Sequence, residues 1–457
     1  MNKNIKFLQK ITLLVFINLN FLSFIFSQEL LLDKPDIENF KAWDSSCLSM
    51  NANKTFITND QIFKIFNSFF STMQENLNKT YWLETPKNLI NAQQEFKGAC
   101  DMFAQQTNPE FTHVFRDSVF KYAQKVIVPE NTTILVSGDL HGSYLTLSKL
   151  LNHWINLGYL NNNLQVKDNT YIIFLGDYKD RGYLGLEITA TLMQLKNLNP
   201  HNFIMFRGNH EHYYYDEQVI KNKFPNKFNS IFSLLNSCFE VLPDVIYFGF
   251  KNNNNFINYF QVNHGGMEKK YNPENLLIAN NNSNNIYSSQ ELPLDYADFK
   301  WSYIINKNRD TEINRYIWFG MHMKELHNDK IVDYINNNLK KDGYFKITGM
   351  VNGHNHEAPK KETLCNLYPE KQDSIKLLKE RELIEKYYEK TQEPTTGFCN
   401  LGTQETPIII TIAGPMLSSL PKKDNPQEFE TGLNYAVNYI TLKPGINTWD
   451  WQANLIN

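Results

Sequence analysis

The chain has 457 residues, of which 42% are apolar and 14% aromatic, enough to bury one large core with a smaller appendage. Its formal net charge of −3 gives no electrostatic reason to expect a nucleic-acid partner. The five cysteines are not spaced like zinc ligands.

The first residues have the pattern of a targeting segment. Lys3, Lys6 and Lys10 precede an apolar run at Ile11–Phe26. This pattern predicts a secretory signal peptide over residues 1–27, with an uncleaved signal anchor as the alternative. No later stretch is long and apolar enough to span a bilayer, so we expect a secreted or lumenal protein without a stable span after signal removal.

Two further features concern the secretory pathway. Four glycosylation sequons support that interpretation weakly, because sequons are frequent by chance in an asparagine-rich chain; they begin at Asn53, Asn78, Asn131 and Asn281. The odd number of cysteines leaves at least one without an intramolecular partner. We predict local pairs Cys47–Cys100 and Cys365–Cys399, with Cys238 free on a helix.

Residues 28–125 have helical segments rich in aromatic residues, including Gln61–Asn76 and Glu110–Lys125. They contain no motif that carries chemistry. We therefore predict a mostly helical N-terminal extension that packs on the main domain, residues 126–457.

The main domain begins with alternating strands and helices. The predicted strands are Thr133–Ser137, Tyr171–Leu175, Phe203–Phe206 and Ile408–Ala413, with a closing hairpin at Tyr435–Trp451. The helices between the first three are Ser143–Leu157 and Leu184–Leu198. This alternation predicts an α/β, or layered α+β, fold with strands buried on both faces.

Each of the first three strands ends in a polar cluster. The clusters are Gly138–Gly142 (GDLHG), Gly176–Gly182 (GDYKDRG) and Arg207–Glu211 (RGNHE). Loops at the carboxyl ends of adjacent strands lie on the same side of a sheet, so these clusters are expected to meet in one cleft.

Two histidine clusters follow downstream, at Asn263–Gly266 (NHGG) and at Gly353–His356 (GHNH), the latter after an apolar run at Phe345–Val351. A histidine alone is more often a buried, hydrogen-bonded side chain than a ligand. Together with the aspartates and asparagine of the first three clusters, however, these histidines complete a donor set suited to transition ions. Such a set holds two ions about 3.5–4 Å apart, which lower the pKa of a bridging water and clamp phosphate oxygens.

The ordered set GDxHG, GDxxDRG, GNHE, HGG and a late GH histidine resembles the calcineurin-like metallophosphoesterases, and within them the serine/threonine protein phosphatases. Phe239–Pro243 (FEVLP) agrees with the same family, and the resemblance covers roughly residues 126–445. It implies a β-sandwich flanked by helices.

The resemblance also implies the ligands of two metal ions, which are manganese, iron or zinc. Asp139 and His141 would bind the first ion, Asp177 would bridge both, and Asn209, His264 and His354 would bind the second; His356 would add a ligand to the first ion, as in the GHxH form of the wider superfamily.

The resemblance further implies the residues that act on the substrate. His210, oriented by Asp180, would protonate the leaving oxygen, which is the task of a general acid. Arg181 would hold the phosphate, because its planar guanidinium matches phosphate oxygens in pairs, and Arg315 is the candidate for a second such arginine.

The predicted activity is hydrolysis of phosphomonoesters, with phosphoserine or phosphothreonine proteins as the leading substrates. The alternatives are a broad acid phosphatase or a phosphodiesterase on small molecules, and a binding protein that has lost its metals. Asp180 stands where purple acid phosphatases have a tyrosine three residues after the bridging aspartate, which argues against them. At Ala413–Leu417 the chain departs from the aromatic segment of the protein phosphatases, so the sequence supports catalysis better than substrate identity. It does not indicate an oligomeric state.

Overall fold

The computed structural model describes most of the chain between residues 37 and 456. The described residues are 37–49, 57–105, 119–180, 182, 184–212, 217–253, 256–266, 268, 271–279, 287–296, 298–301, 303–305, 317–318, 321–322, 325–327, 345–354, 398–400, 408–412, 437–445 and 449–456.

The strands of the described residues are numbered in chain order. They are β1 Tyr81–Trp82, β2 Tyr122–Ile127, β3 Thr133–Ser137, β4 Thr170–Phe174, β5 Phe203–Met205, β6 Val245–Lys251, β7 Ile257–Asn263, β8 Tyr287–Glu291, β9 Tyr303–Ile305, β10 Ile317–Trp318, β11 Met321–His322, β12 Glu325–His327, β13 Phe345–Asn352, β14 Phe398–Asn400, β15 Ile408–Ile412, β16 Val437–Pro444 and β17 Trp449–Ile456.

The helices are numbered in the same way. They are α1 Ile37–Leu48, α2 Asn59–Lys79, α3 Leu89–Ala104, α4 Tyr144–Asn156, α5 Gly185–Leu198, α6 Glu217–Lys223, α7 Phe228–Glu240, α8 Glu274–Ile278 and α9 Asp298–Trp301, with a short 3-10 helix at His210–His212.

Two sheets form the centre of the fold. The smaller has the strand order β17-β16-β3-β4-β5, in which β3, β4 and β5 are parallel. The larger has the order β1-β8-β2-β6-β7-β13-β15-β14, in which β7 and β13 are parallel. The parallel strands matter for function, because their carboxyl ends meet at one edge.

The two sheets pack face to face through one apolar layer. Val136 and Ile173 of the smaller sheet lie in the same buried cluster as Phe248 and Val262 of the larger. Since side chains alternate along a strand, Leu135 and its neighbours on the other face pack against helices. The result is the predicted β-sandwich flanked by helices.

The N-terminal helices join the core on the outer face of the smaller sheet. Helix α2 begins at a capping box, in which Thr58 accepts from the backbone N–H of Gln61 and the Gln61 side chain accepts from the backbone N–H of Thr58. Its apolar stripe, which includes Phe66 and Phe70, is buried in the cluster that also holds residues of β3, β4 and β5. This segment is continuous with the core.

Most predicted elements lie within one or two residues of the observed ones. The closing hairpin is present as β16 paired antiparallel with β17, but it extends to Ile456 rather than ending at Trp451. The helix predicted at Glu110–Lys125 is wrong where the structure describes it, because Tyr122–Ile127 is a strand of the larger sheet, paired with β6 and β8. That strand crosses the predicted boundary between residues 125 and 126. The division into an extension and a main domain therefore stays a prediction.

The predicted Cys47–Cys100 disulfide is wrong, since both thiols are free. Cys47 on α1 faces Tyr144, whereas Cys100 on α3 lies near Cys238 of α7, so the two side chains point to different helices. Cys238 is free and buried on a helix, as predicted. Cys365 lies outside the described residues, as does the side chain of Cys399.

The targeting predictions fall largely outside the described residues. These include the signal peptide at residues 1–27 and the sequons at Asn53 and Asn281, whereas Asn78 and Asn131 are exposed. Within the described part of the chain, no helix has the length and apolar character needed to cross a bilayer.

Candidate metal centre

Five loops bring the predicted ligands together at the carboxyl ends of strands from both sheets. Three of the loops follow β3, β4 and β5, and the other two follow β7 and β13. The six predicted ligands within them are all nearly or fully buried; they are Asp139, His141, Asp177, Asn209, His264 and His354.

Asp177 lies at the centre of the group. Its Oδ2 atom is 3.3 Å from His264 Nε2, 3.5 Å from His141 Nε2 and 3.9 Å from His210 Nε2. Two overlapping sets of donor atoms, each within 4.8 Å, contain this carboxylate: one with His141 and His210, the other with His264 and His354. A carboxylate shared by two sets is placed to bridge two ions.

The remaining ligands join this group through short contacts. His264 Nε2 lies 2.9 Å from Asn209 Oδ1, and Asp139 Oδ2 lies 3.7 Å from His141 Nε2. The other oxygen of Asp139 accepts a hydrogen bond from the backbone N–H of His354 at 3.1 Å. This last bond ties the loop after β13 to the loop after β3.

Backbone carbonyls set the tautomers of two histidines. His141 Nδ1 lies 3.3 Å from the carbonyl oxygen of Lys179, and His264 Nδ1 lies 3.1 Å from that of Leu175. A carbonyl only accepts, so Nδ1 carries the proton in both rings and Nε2 faces the carboxylates. This is the arrangement that fixes the ring orientation of metal-binding histidines.

The charges in the site shift two pKa values strongly. Burial alone would lower the pKa of His264, but the carboxylates of Asp177 and Asp139 outweigh it and raise that pKa to about 9. Burial would raise the pKa of Asp177, but His264 and His210 hold it well below its usual range. The site therefore keeps an ionised carboxylate at its centre, where a cation is favoured.

His210 forms a pair with Asp180 at the edge of the group. Its Nδ1 lies 2.7 Å from Asp180 Oδ2, which leaves Nε2 directed toward Asp177. The side chains of His210 and Asp180 are 10% and 14% exposed, whereas those of Asp139, His141, Asp177 and His264 are 0% exposed. His210 and Asp180 are thus more exposed to solvent than these four buried side chains.

Backbone strain is concentrated in these loops. Six non-glycine residues of the described chain have positive φ, and four belong to the site: His141 at 43°, Asp177 at 53°, Asp180 at 70° and His354 at 67°. Left-handed backbone is unfavourable for such residues, and it persists where surrounding contacts enforce it. Here it aims the side chains inward.

Two glycines allow the loops to approach the ligands. A Cβ atom on Gly208 would clash with the backbone nitrogen and carboxylate of Asp177, and one on Gly353 would clash with the carboxylate of Asp139. Only glycine fits at these two positions.

Glu211 is a residue whose role the sequence did not indicate. Its buried carboxylate accepts hydrogen bonds from the backbone N–H groups of Asp177 at 2.6 Å, Tyr178 at 2.9 Å and Gly208 at 2.9 Å. Burial raises the pKa of Glu211, as does the charge of Asp177. Glu211 therefore fastens the loop after β4 to the loop after β5. The only sequence signal was its place at the end of the RGNHE cluster.

Three predicted site residues lie outside the described residues: Arg181, Arg315 and His356. Their predicted roles in phosphate binding and as an added ligand stay predictions.

The residues present fit a pair of metal ions. Asp177 Oδ2 is buried and accepts no hydrogen bond among the described residues, although three imidazole nitrogens lie within 4 Å of it. An ionised oxygen in that position needs a nearby positive charge, and a metal ion would supply it. Carboxylate, imidazole and amide donors without thiolates suit mid-row divalent ions.

The same part of the chain matches a known family. Residues 132–358 match the calcineurin-like phosphoesterase family. The serine/threonine-protein phosphatase SIT4 of Candida albicans is 34% identical over 132 residues, covering 28% of this chain and 35% of that protein. The serine/threonine-protein phosphatase 6 catalytic subunit of Drosophila melanogaster is 32% identical over 112 residues, covering 24% and 28%. The matches thus span about a third of each relative's length.

A solved structure of a Saccharomyces cerevisiae protein serine/threonine phosphatase, described as similar to human phosphatase PP5, aligns with a TM-score of 0.41 at 16% identity. The alignment covers 79% of this chain and 88% of that chain. Residues 132–358 form a calcineurin-like phosphoesterase domain similar to the serine/threonine protein phosphatases.

Proposed function

We propose that this chain hydrolyses phosphomonoesters in a metal-dependent reaction, with phosphoserine and phosphothreonine in proteins as its substrates. The observation that carries the proposal is the shared carboxylate of Asp177 between two donor sets, with the accessible His210–Asp180 pair beside it. The names of the relatives support the choice of substrate.

The residues of the site would have different roles in this reaction. A metal pair held by the six ligands would supply Lewis acidity, which draws charge from phosphate oxygens and lowers the pKa of water. Asp180 holds the imidazole of His210 by its Nδ1 atom, so that Nε2 can deliver a proton to the departing alkoxide. Glu211 keeps the loops that carry Asp177 and Asn209 in register. We propose that Arg181 binds the substrate phosphate, with Arg315 as a second contact.

We further propose manganese, iron or zinc as the bound ions, because carboxylate and imidazole donors accept all three. We also propose that the chain enters the secretory pathway, on the strength of the basic and apolar segment at residues 1–27.

The test is an assay of the full chain, produced in a secretory host, on a panel of phosphoserine and phosphothreonine peptides beside a small aryl phosphate. We expect hydrolysis that stops with a chelator and returns with Mn²⁺, and a higher kcat/KM on the phosphopeptides. Elemental analysis should give two ions per chain. A preference for the aryl phosphate or a phosphodiester would instead favour a broad phosphatase or a phosphodiesterase. Activity that persists in metal-free protein would contradict the proposal.

A further inference from the structure

Two buried side-chain amides, hydrogen-bonded to each other, lie next to the turn that carries His264. Gln261 and Asn263 are two residues apart on β7, so they share the face of the larger sheet that points away from the smaller one. Both are fully buried. The apolar cluster on that face includes Tyr259, Met350 and Phe299.

The hydrogen bonds that the side-chain nitrogen of Asn263 donates all end on the turn that carries His264 and on the segment packed against it. Its Nδ2 atom lies 2.8 Å from the carbonyl oxygen of Gly265, 2.6 Å from that of Gly266 and 3.1 Å from that of Phe299. Because the three carbonyls only accept, the nitrogen of the amide must face them. Phe299 O also accepts from the backbone N–H of Gly265 at 2.6 Å, so α9 and the turn are joined twice.

Gln261 supports the orientation of Asn263. Its Nε2 atom donates to Asn263 Oδ1 at 3.0 Å and also contacts the sulfur of Met350 at 3.3 Å. With its oxygen occupied in this way, the Asn263 amide has its donor end toward the turn. The directions of all these hydrogen bonds follow from the backbone carbonyls of Gly265, Gly266 and Phe299, which can only accept.

His264 itself is held on its other sides. Its Nδ1 donates to Leu175 O, and its own carbonyl accepts from the backbone N–H of Gly353 at 2.9 Å. Those contacts orient the ring and join the turn to the loop after β13. The Gln261–Asn263 pair holds the part of the turn that follows His264, which is the backbone of Gly265 and Gly266.

An apolar side chain would fill the same space in this cluster without the cost of burying two amides. We infer that Asn263, oriented by Gln261, is a positioning residue for His264 and sets the affinity for the second of the two ions, which Asp177, Asn209, His264 and His354 would bind. The inference rests on the metal binding contained in the proposed function. It concerns how tightly ions are held, which can be measured without any substrate.

The test is titration of the full-length, metal-stripped protein with Mn²⁺, with free Mn²⁺ followed by electron paramagnetic resonance. In Asn263→Leu we expect one of the two dissociation constants to rise about 10- to 100-fold, the range for loss of groups that orient metal ligands. Gln261→Leu should have a smaller effect in the same direction, since it leaves the donor in place but frees its orientation.

The matched control is Asn258→Leu. Asn258 is another fully buried asparagine of β7, but it lies at the opposite end of the strand from His264 and its side chain makes no hydrogen bond among the described residues. This variant should bind Mn²⁺ like the wild type. An effect equal to that of Asn263→Leu would mean that any buried change in β7 disturbs the site, and it would overturn the inference.

The outcomes separate the two proposals. A wild-type chain that binds no Mn²⁺ defeats the proposed function. A wild type that binds two ions, with unchanged dissociation constants in folded Asn263→Leu, defeats only the positioning role. If Asn263→Leu gives no folded protein, Gln261→Leu decides, and unchanged Mn²⁺ affinity in that variant overturns the inference.

Discussion

At the scale of single residues, the proposed metal ligands and the residues proposed to act on the substrate differ in exposure. Asp177 and His264 are completely buried, while His210 and Asp180 retain a small exposed fraction. His210 nevertheless belongs to one of the two sets of donor atoms around Asp177. Its role as acid or as ligand is therefore the sharpest question at this scale.

His210→Gln answers that question. If His210 is the general acid, the variant should still bind two Mn²⁺ ions but lose about 10²- to 10⁴-fold in kcat on a phosphopeptide. The loss should be smaller on an aryl phosphate, whose leaving group needs less protonation. The measurement combines steady-state kinetics with Mn²⁺ titration.

His153→Gln is the control for His210→Gln, since His153 lies on α4 beside Tyr439, away from the ligands. It should keep both metal binding and turnover. A His210→Gln protein that binds only one ion would make His210 a ligand.

At the scale of elements, the N-terminal helices are the part whose role the sequence left open. Phe70 of α2 and Phe96 of α3 stack with ring centroids 3.8 Å apart and an angle of 2° between the rings. Both lie in the cluster that covers the smaller sheet. The helices thus bury the face opposite the sandwich interior, and stability of the whole domain should depend on them.

Phe96→Ala should lower the free energy of unfolding by about 3–5 kcal/mol, because it removes a large buried ring and leaves a cavity. Denaturant unfolding measures this change. Ile90→Ala on the same helix is the control: Ile90 is 58% exposed, so its loss should alter stability by less than about 0.5 kcal/mol. Equal effects of the two substitutions would show that α3 does not pack as described.

The strands predicted in the main domain were correct, whereas the helix predicted at Glu110–Lys125 was wrong where the structure describes it. Thr133–Ser137 and Tyr171–Leu175 are short apolar runs, rich in β-branched and aromatic residues and followed by turn signals, and this combination favours buried strands. Tyr122–Ile127 carries Lys125 in the middle of the run, which conceals its strand character. That lysine is buried because its Nζ reaches the carbonyls of Leu277 and Ala279, a contact with a distant part of the chain.

At the scale of the whole molecule, buried lysines make stability depend on pH. Lys196, in the last turn of α5, donates to the carbonyl oxygens of Pro200 at 2.8 Å and Phe203 at 2.9 Å. Burial lowers its pKa to about 7 from the ordinary value of 10.5. Between these two values the unfolded chain binds a proton that the folded chain does not.

The folded state is therefore favoured as pH rises above about 7, by at most about 1.4 kcal/mol per pH unit for this one proton. Comparing denaturant unfolding at pH 7 and pH 9, we expect Lys196→Met to show a smaller gain in stability over this interval than the wild type. Lys64→Met, which removes an exposed lysine, should keep the wild-type gain. Identical pH dependence in all three proteins would show that Lys196 stays charged in the fold.

The sequence by itself determined the polar clusters that follow the strands and the family they resemble, because strand ends, glycine turns and ligand types are encoded within a few neighbouring residues. Only the tertiary structure decided how these clusters meet. The short distances from Asp177 to His264 and His210, the clamp of Glu211 and the bonds of Asn263 join segments far apart in the chain. The pairing of the strand at Tyr122–Ile127 also joins distant segments. The tertiary structure likewise decided that Cys47 and Cys100 remain unpaired. Such contacts depend on how two sheets and their helices pack, and a local pattern of residues carries little information about packing between distant segments.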